Sequence, residues 1–378
     1  MKSKRIRVFI ASAAAILIGI CGAQPKAEQR KAAQAMTDAA AVAAAKGAKW
    51  LVSVQGADGG WGQDGGETSY VRAGERLETN GNDVANTAVA VEALIRLGNT
   101  PTSGEYRDAV VRGVRFILQN VEQSSGEGLA VTTRQGTQIQ RKLGPYIDTF
   151  LTSKLLAQLD GHMGDTQFNA RVRQSLQKCV AKIEKNQMKD GSWNLAGGWA
   201  PILGTSMASQ SLDMARAKGV PVAPATMAKV TEYTKQAGAQ SAGGVRSEAS
   251  AGVSLYQKAQ ELEQLSRTAK DRKDNAREID AIKDQLTESK FVSGYGSIGG
   301  EEFFSYLNIS ESLKRTGGPE WEKWHGNMKD KIVKLQNQDG TWAGHHCITG
   351  RVAVTSAAIL TLLADRQPAV LSSAAKVR

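Results

Sequence analysis

The sequence predicts an all-helical protein closed on itself as an (α/α)6 toroid, a double ring of helical hairpins that carries one charged helical insertion. Two observations lead there. A seven-residue turn recurs at three places with the same internal spacing, as Gln55, Asp58, Gly59 and Trp61, as Gln187, Asp190, Gly191 and Trp193, and as Gln336, Asp339, Gly340 and Trp342. The helical segments around these turns alternate in kind, amphipathic ones being followed by ones that are apolar on nearly every side.

The turn suits a helix end. Gly after Asp takes the left-handed conformation that stops a helix, and the Asp carboxylate accepts nearby backbone N–H groups. Trp adds a large apolar face with a single donor, and the Gln amide is expected to stack on the indole or to hydrogen-bond around it. The turn therefore reads as a structural clasp between hairpins.

In chain order, Lys2, Lys4, Arg5 and Arg7 precede the apolar run from Val8 to Ile20, and the small residues Gly22 and Ala23 follow. This is the pattern of an export signal, with cleavage expected after Ala23 and a periplasmic or secreted destination. The run is short for a bilayer span, so no transmembrane segment is expected in the mature chain. Residues 24–38, rich in Ala, Gln and Lys, read as a solvated leader. The toroid is assigned to residues 39–366, with 258–290 as a charged helical insertion or an irregular repeat and 367–378 as a tail.

Three outer helices show one apolar stripe each. Val110, Val114, Ile117 and Val121 form the first, with Arg107, Arg112 and Arg115 off it; Val172, Leu176, Cys179 and Ile183 form the second; Trp321, Trp324, Met328, Ile332 and Leu335 form the third. Inner helices are expected over Asp83 to Leu97, Ile147 to Leu159, Gly204 to Ala217, Glu302 to Leu313 and Arg351 to Ala364. These are rich in Ala, Ser and Thr, where helices approach closely. Ala225 to Gln236 and Glu248 to Gln260 fit a further outer and inner pair that lacks a clasp. The stretch that follows is dense in charge, with apolar residues at Leu262, Leu265, Ile279, Ile282 and Leu286, and reads as a solvated helical excursion.

Charge and cysteine content exclude some functions. Four positive charges of the formal +11 belong to the signal, leaving +7 on the mature chain. No Lys/Arg block interleaved with aromatics accompanies them, so nucleic acid is not an expected partner. Two of the three cysteines, Cys179 and Cys347, remain after cleavage. Stability must then come from packing, and the repeat phasing sets the two thiols too far apart to bridge.

The three turns resemble the QW repeats of squalene and oxidosqualene cyclases and the related repeats of protein prenyltransferase β subunits. The segments Gly299 to Asn308 and Gly344 to Ala358 look like those of exported bacterial proteins that carry the same repeats. The resemblance implies the toroid fold and a lipid or isoprenoid ligand in a central cavity. It does not bring the superfamily's chemistry with it. The Asp-rich DxDD acid of the cyclases is absent; the Asp-x-Cys pair of the prenyltransferase zinc site is replaced by His345-x-Cys347; and the CGEQ thioester of complement-like toroids is missing.

Chemistry in a toroid is expected at the N-terminal ends of the inner helices, where backbone N–H groups favour anions. Three clusters qualify. Tyr146 and Asp148 open one inner helix, with Asp148 either an acid or a first-turn charge. Glu301, Glu302 and Tyr306 open another, as a general acid with a raised pKa or as a complement to the helix dipole; adjacent carboxylates point about 100° apart, so at most one faces the cavity. His345, His346, Cys347 and Arg351 form the third. No cofactor is predicted. Zinc is the one metal weighed, with His345, His346 and Cys347 as ligands, set against a polar cavity mouth or a loop with a buried thiol, because neighbouring residues converge poorly on one ion.

The function read from the sequence is an exported toroid that binds or transforms an isoprenoid or other lipid, with Asp148, Glu301, Glu302 and Tyr306 as catalytic candidates and Tyr146, His345, His346 and Arg351 as binding candidates. A non-catalytic exported scaffold and a glycan-active enzyme are the alternatives.

Overall fold

The computed structural model describes residues 24–64, 81–193, 201–242, 258–259, 261–288 and 298–367. The expected export signal lies outside them, and so does nearly all of the tail. The helices are α1 (Gln24–Ser53), α2 (Val84–Arg96), α3 (Arg107–Gln123), α4 (Gln138–Leu143), α5 (Ile147–Leu159), α6 (Thr166–Lys185), α7 (Pro201–Ala217), α8 (Pro224–Ala242), α9 (Ala269–Asp274), α10 (Ala276–Thr287), α11 (Gly300–Thr316), α12 (Pro319–Lys334) and α13 (Arg351–Leu362). A single antiparallel pair, Trp61–Gly62 against Asn82–Asp83, is the sheet structure among the described residues.

The contrast between helix types becomes a double ring. Every residue of α2 and of α5 is buried, whereas α3 buries one stripe, Ala109, Val110, Val114, Ile117, Leu118 and Val121 with Gly113 between them. A helix without a wet face needs neighbours on all sides, so α2, α5, α7, α11 and α13 form the inner ring. There α2 packs on α5, α5 on α7, α11 on α13, and α13 back on α2. Residues 258–259 and 261–265, which are helical, occupy the remaining inner place: Gln264 Nε2 donates to Ser209 Oγ of α7 at 2.9 Å, and Arg315 Nη2 of α11 reaches Ser266 Oγ at 3.4 Å. Outside, α3 packs on α6, α12 on α1, and α10 on α12.

The helix α1, Gln24–Ser53, takes in residues 24–38, the segment read as a leader. The first part of the charged stretch belongs to the ring wall, for Leu262, Glu261, Glu263 and Ser266 are buried. Its charges tolerate burial because they are paired, Glu263 with Arg267 at 2.6 Å and Glu261 with Lys258 at 2.6 Å. The outer α10 then buries Ile279, Ile282 and Leu286, the apolar stripe read from the sequence.

The three clasps share one geometry. Each Gly sits at positive φ, 87°, 90° and 88° for Gly59, Gly191 and Gly340, and each Asp accepts the backbone N–H two residues on. Each indole N–H donates to a carbonyl ten residues back, at Leu51, Ile183 and Ile332, always at 2.7 Å. Each Trp backbone N–H donates to a threonine hydroxyl on the following inner helix: Thr87 at 2.8 Å, Thr205 at 3.3 Å and Thr355 at 2.9 Å.

The glutamine does something other than surround the indole. Its amide bridges the clasp carbonyl to a carbonyl of the next outer helix, Gln55 to Ala109 at 2.9 Å, Gln187 to Thr226 at 2.9 Å and Gln336 to Ala43 at 2.8 Å. Three residues beyond each acceptor, the backbone of Arg112, Lys229 or Lys46 crowds the clasp glycine. Gly113 of α3 and Gly47 of α1 supply the close approach that admits the indoles, because a Cβ at either would come within 2.9 Å of Trp61 or Trp342. The third clasp therefore docks on α1, near the start of the chain, and closes the ring.

Candidate functional site

The N-termini of the inner helices gather buried polar groups at one mouth of the ring. At α11, residues 298–300 lie along 344–348: His345 N donates to Ile298 O at 2.8 Å and Gly300 N to His346 O at 3.3 Å. Gly344 and Gly300 are in backbone contact there, so neither admits a side chain. The turn places Cys347 at φ 63°, the one non-glycine residue at positive φ among those described. A left-handed cysteine persists only where its surroundings hold it.

That backbone brings together what the sequence keeps 46 residues apart. A carboxylate oxygen of Glu301, a ring nitrogen of His346 and Sγ of Cys347 all lie within 4.8 Å of one another. Glu301 and Cys347 are buried and His346 is half-buried. Glu301 Oε2 has no hydrogen-bond partner although it is out of contact with solvent, an expensive condition for a carboxylate. His345 stands next to this group, its Nδ1 lying 3.2 Å from that of His346. Glu301, from another helix, thus supplies a carboxylate beside His346 and Cys347.

Glu302 points elsewhere, as adjacent helical residues must. Its carboxylate accepts the N–H of Gly299, the N-cap residue of α11. Burial pushes its pKa up to about 7, helped by Glu301 and opposed by the Gly299 N–H and Lys331. Tyr306 lies outside the site: its ring packs at 6.2 Å from Trp324, and its hydroxyl meets Lys331 Nζ of the outer α12 at 3.1 Å. Arg351 is likewise engaged in the frame, pairing with Asp64 at 2.9 Å and with the clasp residue Asp339 at 2.7 Å while its guanidinium covers the Trp50 ring.

A second acidic group occupies the N-terminus of α2. Asp83 caps its own helix through Asn86 N at 2.8 Å. Asp148, from the first turn of α5, accepts Ala85 N of α2 at 3.1 Å and Gln140 Nε2 at 2.7 Å. Burial, and then the charge of Asp83, raise Asp148 to about 7. Asp148 thus ties the start of one inner helix to its neighbour. Tyr146, half-buried, stands at the N-cap position of α5 without a capping hydrogen bond.

The short helix α4, unforeseen in the sequence, joins the two groups. Gln140 reaches Asp148, while Gln138 Oε1 accepts Thr349 N at 2.7 Å, in the loop that carries His346 and Cys347. Gln138 N in turn donates to Gln63 Oε1 at 2.9 Å. The signal for α4 was present as a capping box, Thr137 with Gln140, but in a six-residue helix no periodicity accompanies it.

The fold and this mouth define a class: an all-helical toroid with repeated Gln/Asp-Gly/Trp clasps and buried polar chemistry at the inner-helix N-termini. Residues 28–137 match the family model of the squalene-hopene cyclase C-terminal domain, a domain of α/α-toroid type. The matched stretch includes the first clasp, α2 and α3. No curated protein matches the chain.

Proposed function

We propose that the protein is an exported, zinc-dependent toroid that acts on the polar end of an isoprenoid or other lipid, with Glu301, His346 and Cys347 as the metal ligands. The observation that carries this reading is the convergence of a carboxylate, an imidazole and a thiol around a buried carboxylate oxygen that has no partner. A mixed O, N and S donor set of three fits zinc with one position left open. When bound, such an ion supplies Lewis acidity toward an oxygen or sulfur of the ligand.

The chain's own groups add to this. The left-handed Cys347 is held in place by the Gly300 and Gly344 contact, so its thiol is positioned before any ligand arrives. The Asp-rich DxDD acid of the cyclases is absent from the sequence, which argues for chemistry at a heteroatom rather than for cyclisation. The lipid class rests on the family match, and export rests on the basic and apolar N-terminal segment.

Metal analysis and lipid extraction of the purified mature protein test the proposal. About one zinc per chain is expected, lost in Cys347→Ala and Glu301→Gln while the helical circular dichroism is kept, together with a co-purifying lipid. A folded protein that is metal-free after zinc supplementation, or a Cys347→Ala variant that keeps its zinc, would overturn the metal centre. Zinc without lipid would leave the metal and reject the ligand class.

A further inference from the structure

The opposite mouth, at the C-terminal ends of the inner helices, opens on a cavity of about 510 Å³. Its floor is a network of compensated charge. Glu311 of α11 accepts Arg96 Nη2 at 2.9 Å and Gln210 Nε2 at 3.3 Å, and Lys154 Nζ stands 3.6 Å from it. Lys154 also pairs with Glu92 at 3.1 Å, and Arg267 with Glu263 at 2.6 Å. Every acid that reaches this floor is already matched.

The rim is not. Lys314, Arg315 and Arg366 line the same cavity and form no ion pair among the described residues. Among the described residues Lys314 donates to the backbone carbonyl of Asp365, and Arg315 to the hydroxyls of Ser312, at 2.9 Å, and Ser266; the carboxylates of Asp365 and Glu311 act on them only from a distance. Inside, the Nε of Arg96 and that of Arg315 are buried without an acceptor, and Arg96 is only 6 % exposed. Cations here do complement the helix dipoles, but the acids Glu311, Glu263 and Asp213 oppose those dipoles at the same level, so the dipoles do not account for the layer. What remains is a concave site with surplus positive charge and unused N–H donors.

We infer that the C-terminal mouth binds a small oxyanion of two or more negative charges, held by Lys314 and Arg315 on the rim above Arg96. Guanidinium groups bind such oxyanions through paired N–H donors, and the cavity is large enough for a phosphate- or carboxylate-bearing molecule but not for a folded partner. The site lies at the other end of the inner helices from Glu301 and Cys347 and does not depend on the metal proposal.

Calorimetric titration of the mature chain at low salt with pyrophosphate, and separately with citrate, tests it. Saturable binding of either is expected, and the stronger of the two identifies the headgroup chemistry. Lys314→Gln and Arg315→Gln should each weaken that binding by about tenfold. Lys185→Gln, which removes an exposed charge far from the cavity, and Cys347→Ala should leave it unchanged. Absence of saturable binding to both anions would overturn the inference. So would equal weakening by Lys185→Gln, which would reduce the effect to net charge, or loss of binding in Cys347→Ala, which would move it to the other mouth. Circular dichroism of the rim variants separates lost binding from lost fold.

Discussion

The two mouths of the inner ring bury charge of opposite character. Asp83, Asp148, Glu301 and Glu302 gather where the inner helices begin, whereas Arg96, Lys154, Arg267 and Arg315 stand with Glu92, Glu263 and Glu311 where they end. Helices that run side by side in one direction sum their dipoles, so the beginning favours carboxylates and the end favours cations. The environments differ more than the dipoles do. At the first mouth acid sits beside acid, and burial raises Asp148 to about 7. At the second, burial would raise Glu311, yet Lys154 and then Arg96 outweigh it and hold the carboxyl down at about 2. At one mouth buried acids raise one another, and at the other buried acids are held down by the cations they pair with.

The largest test of this contrast is Glu311→Gln. It leaves Arg96 and Lys154 buried with half their compensation, and a loss of about 4 kcal/mol in denaturant unfolding is expected. Because the folded pKa of Glu311 lies below its ordinary 4.5, its contribution is present above pH 4.5 and is lost as pH falls toward 2; the variant should lose that acid limb. A variant as stable as the wild type would mean that the network is solvated.

Asp148 has the opposite sign. Its folded pKa is raised from 3.8 to about 7, so the folded chain holds a proton there that the unfolded chain has released. The stability this confers is complete below pH 3.8 and disappears as pH rises through 7. Asp148→Asn keeps an acceptor for Ala85 N and has no charge to bury. It should be near neutral at pH 4 and more stable than the wild type at pH 8 by on the order of 3 kcal/mol. A parallel pair of stability-against-pH curves would show that Asp148 is ionised throughout.

The smallest test compares two buried threonines of α13. Thr355 serves the first mouth, accepting the Trp342 backbone N–H, whereas Thr361, nearer the second, only bonds back to Ala357 O of its own helix. Thr355→Val orphans a buried donor and should cost about 2 kcal/mol in thermal or denaturant unfolding. Thr361→Val gives up a bond to a carbonyl that the helix already uses and should cost less than about 1 kcal/mol. Equal costs would deny the clasp threonines a special role.

Much of the fold was legible because its signals are local. Gln, Asp, Gly and Trp lie within seven residues of one another, and the contrast between Arg-flanked α3 and the mainly apolar α2 is visible in a few turns. The fourth inner member was legible only in part: Glu261, Glu263 and Arg267 look solvated in a sequence, since pairing that permits burial is a property of neighbours. The threonine acceptors of the clasps were equally hidden. Their distance from the tryptophan is 26 residues at Thr87 but 12 at Thr205 and 13 at Thr355, so no fixed spacing announces them.

The site divides along the same line. Asp148, Glu301, His346 and Cys347 were singled out by residue type and by their place at helix starts, which short-range chemistry determines. Which of them meet was decided by the closed ring. Gln336 reaching Ala43 brings the third clasp onto α1, and the close approach of Gly344 to Gly300 sets the loop that carries Cys347 beside Glu301. A chain of 378 residues encodes its turns within a handful of neighbours, but the partners of a buried carboxylate are chosen by packing between segments far apart along it.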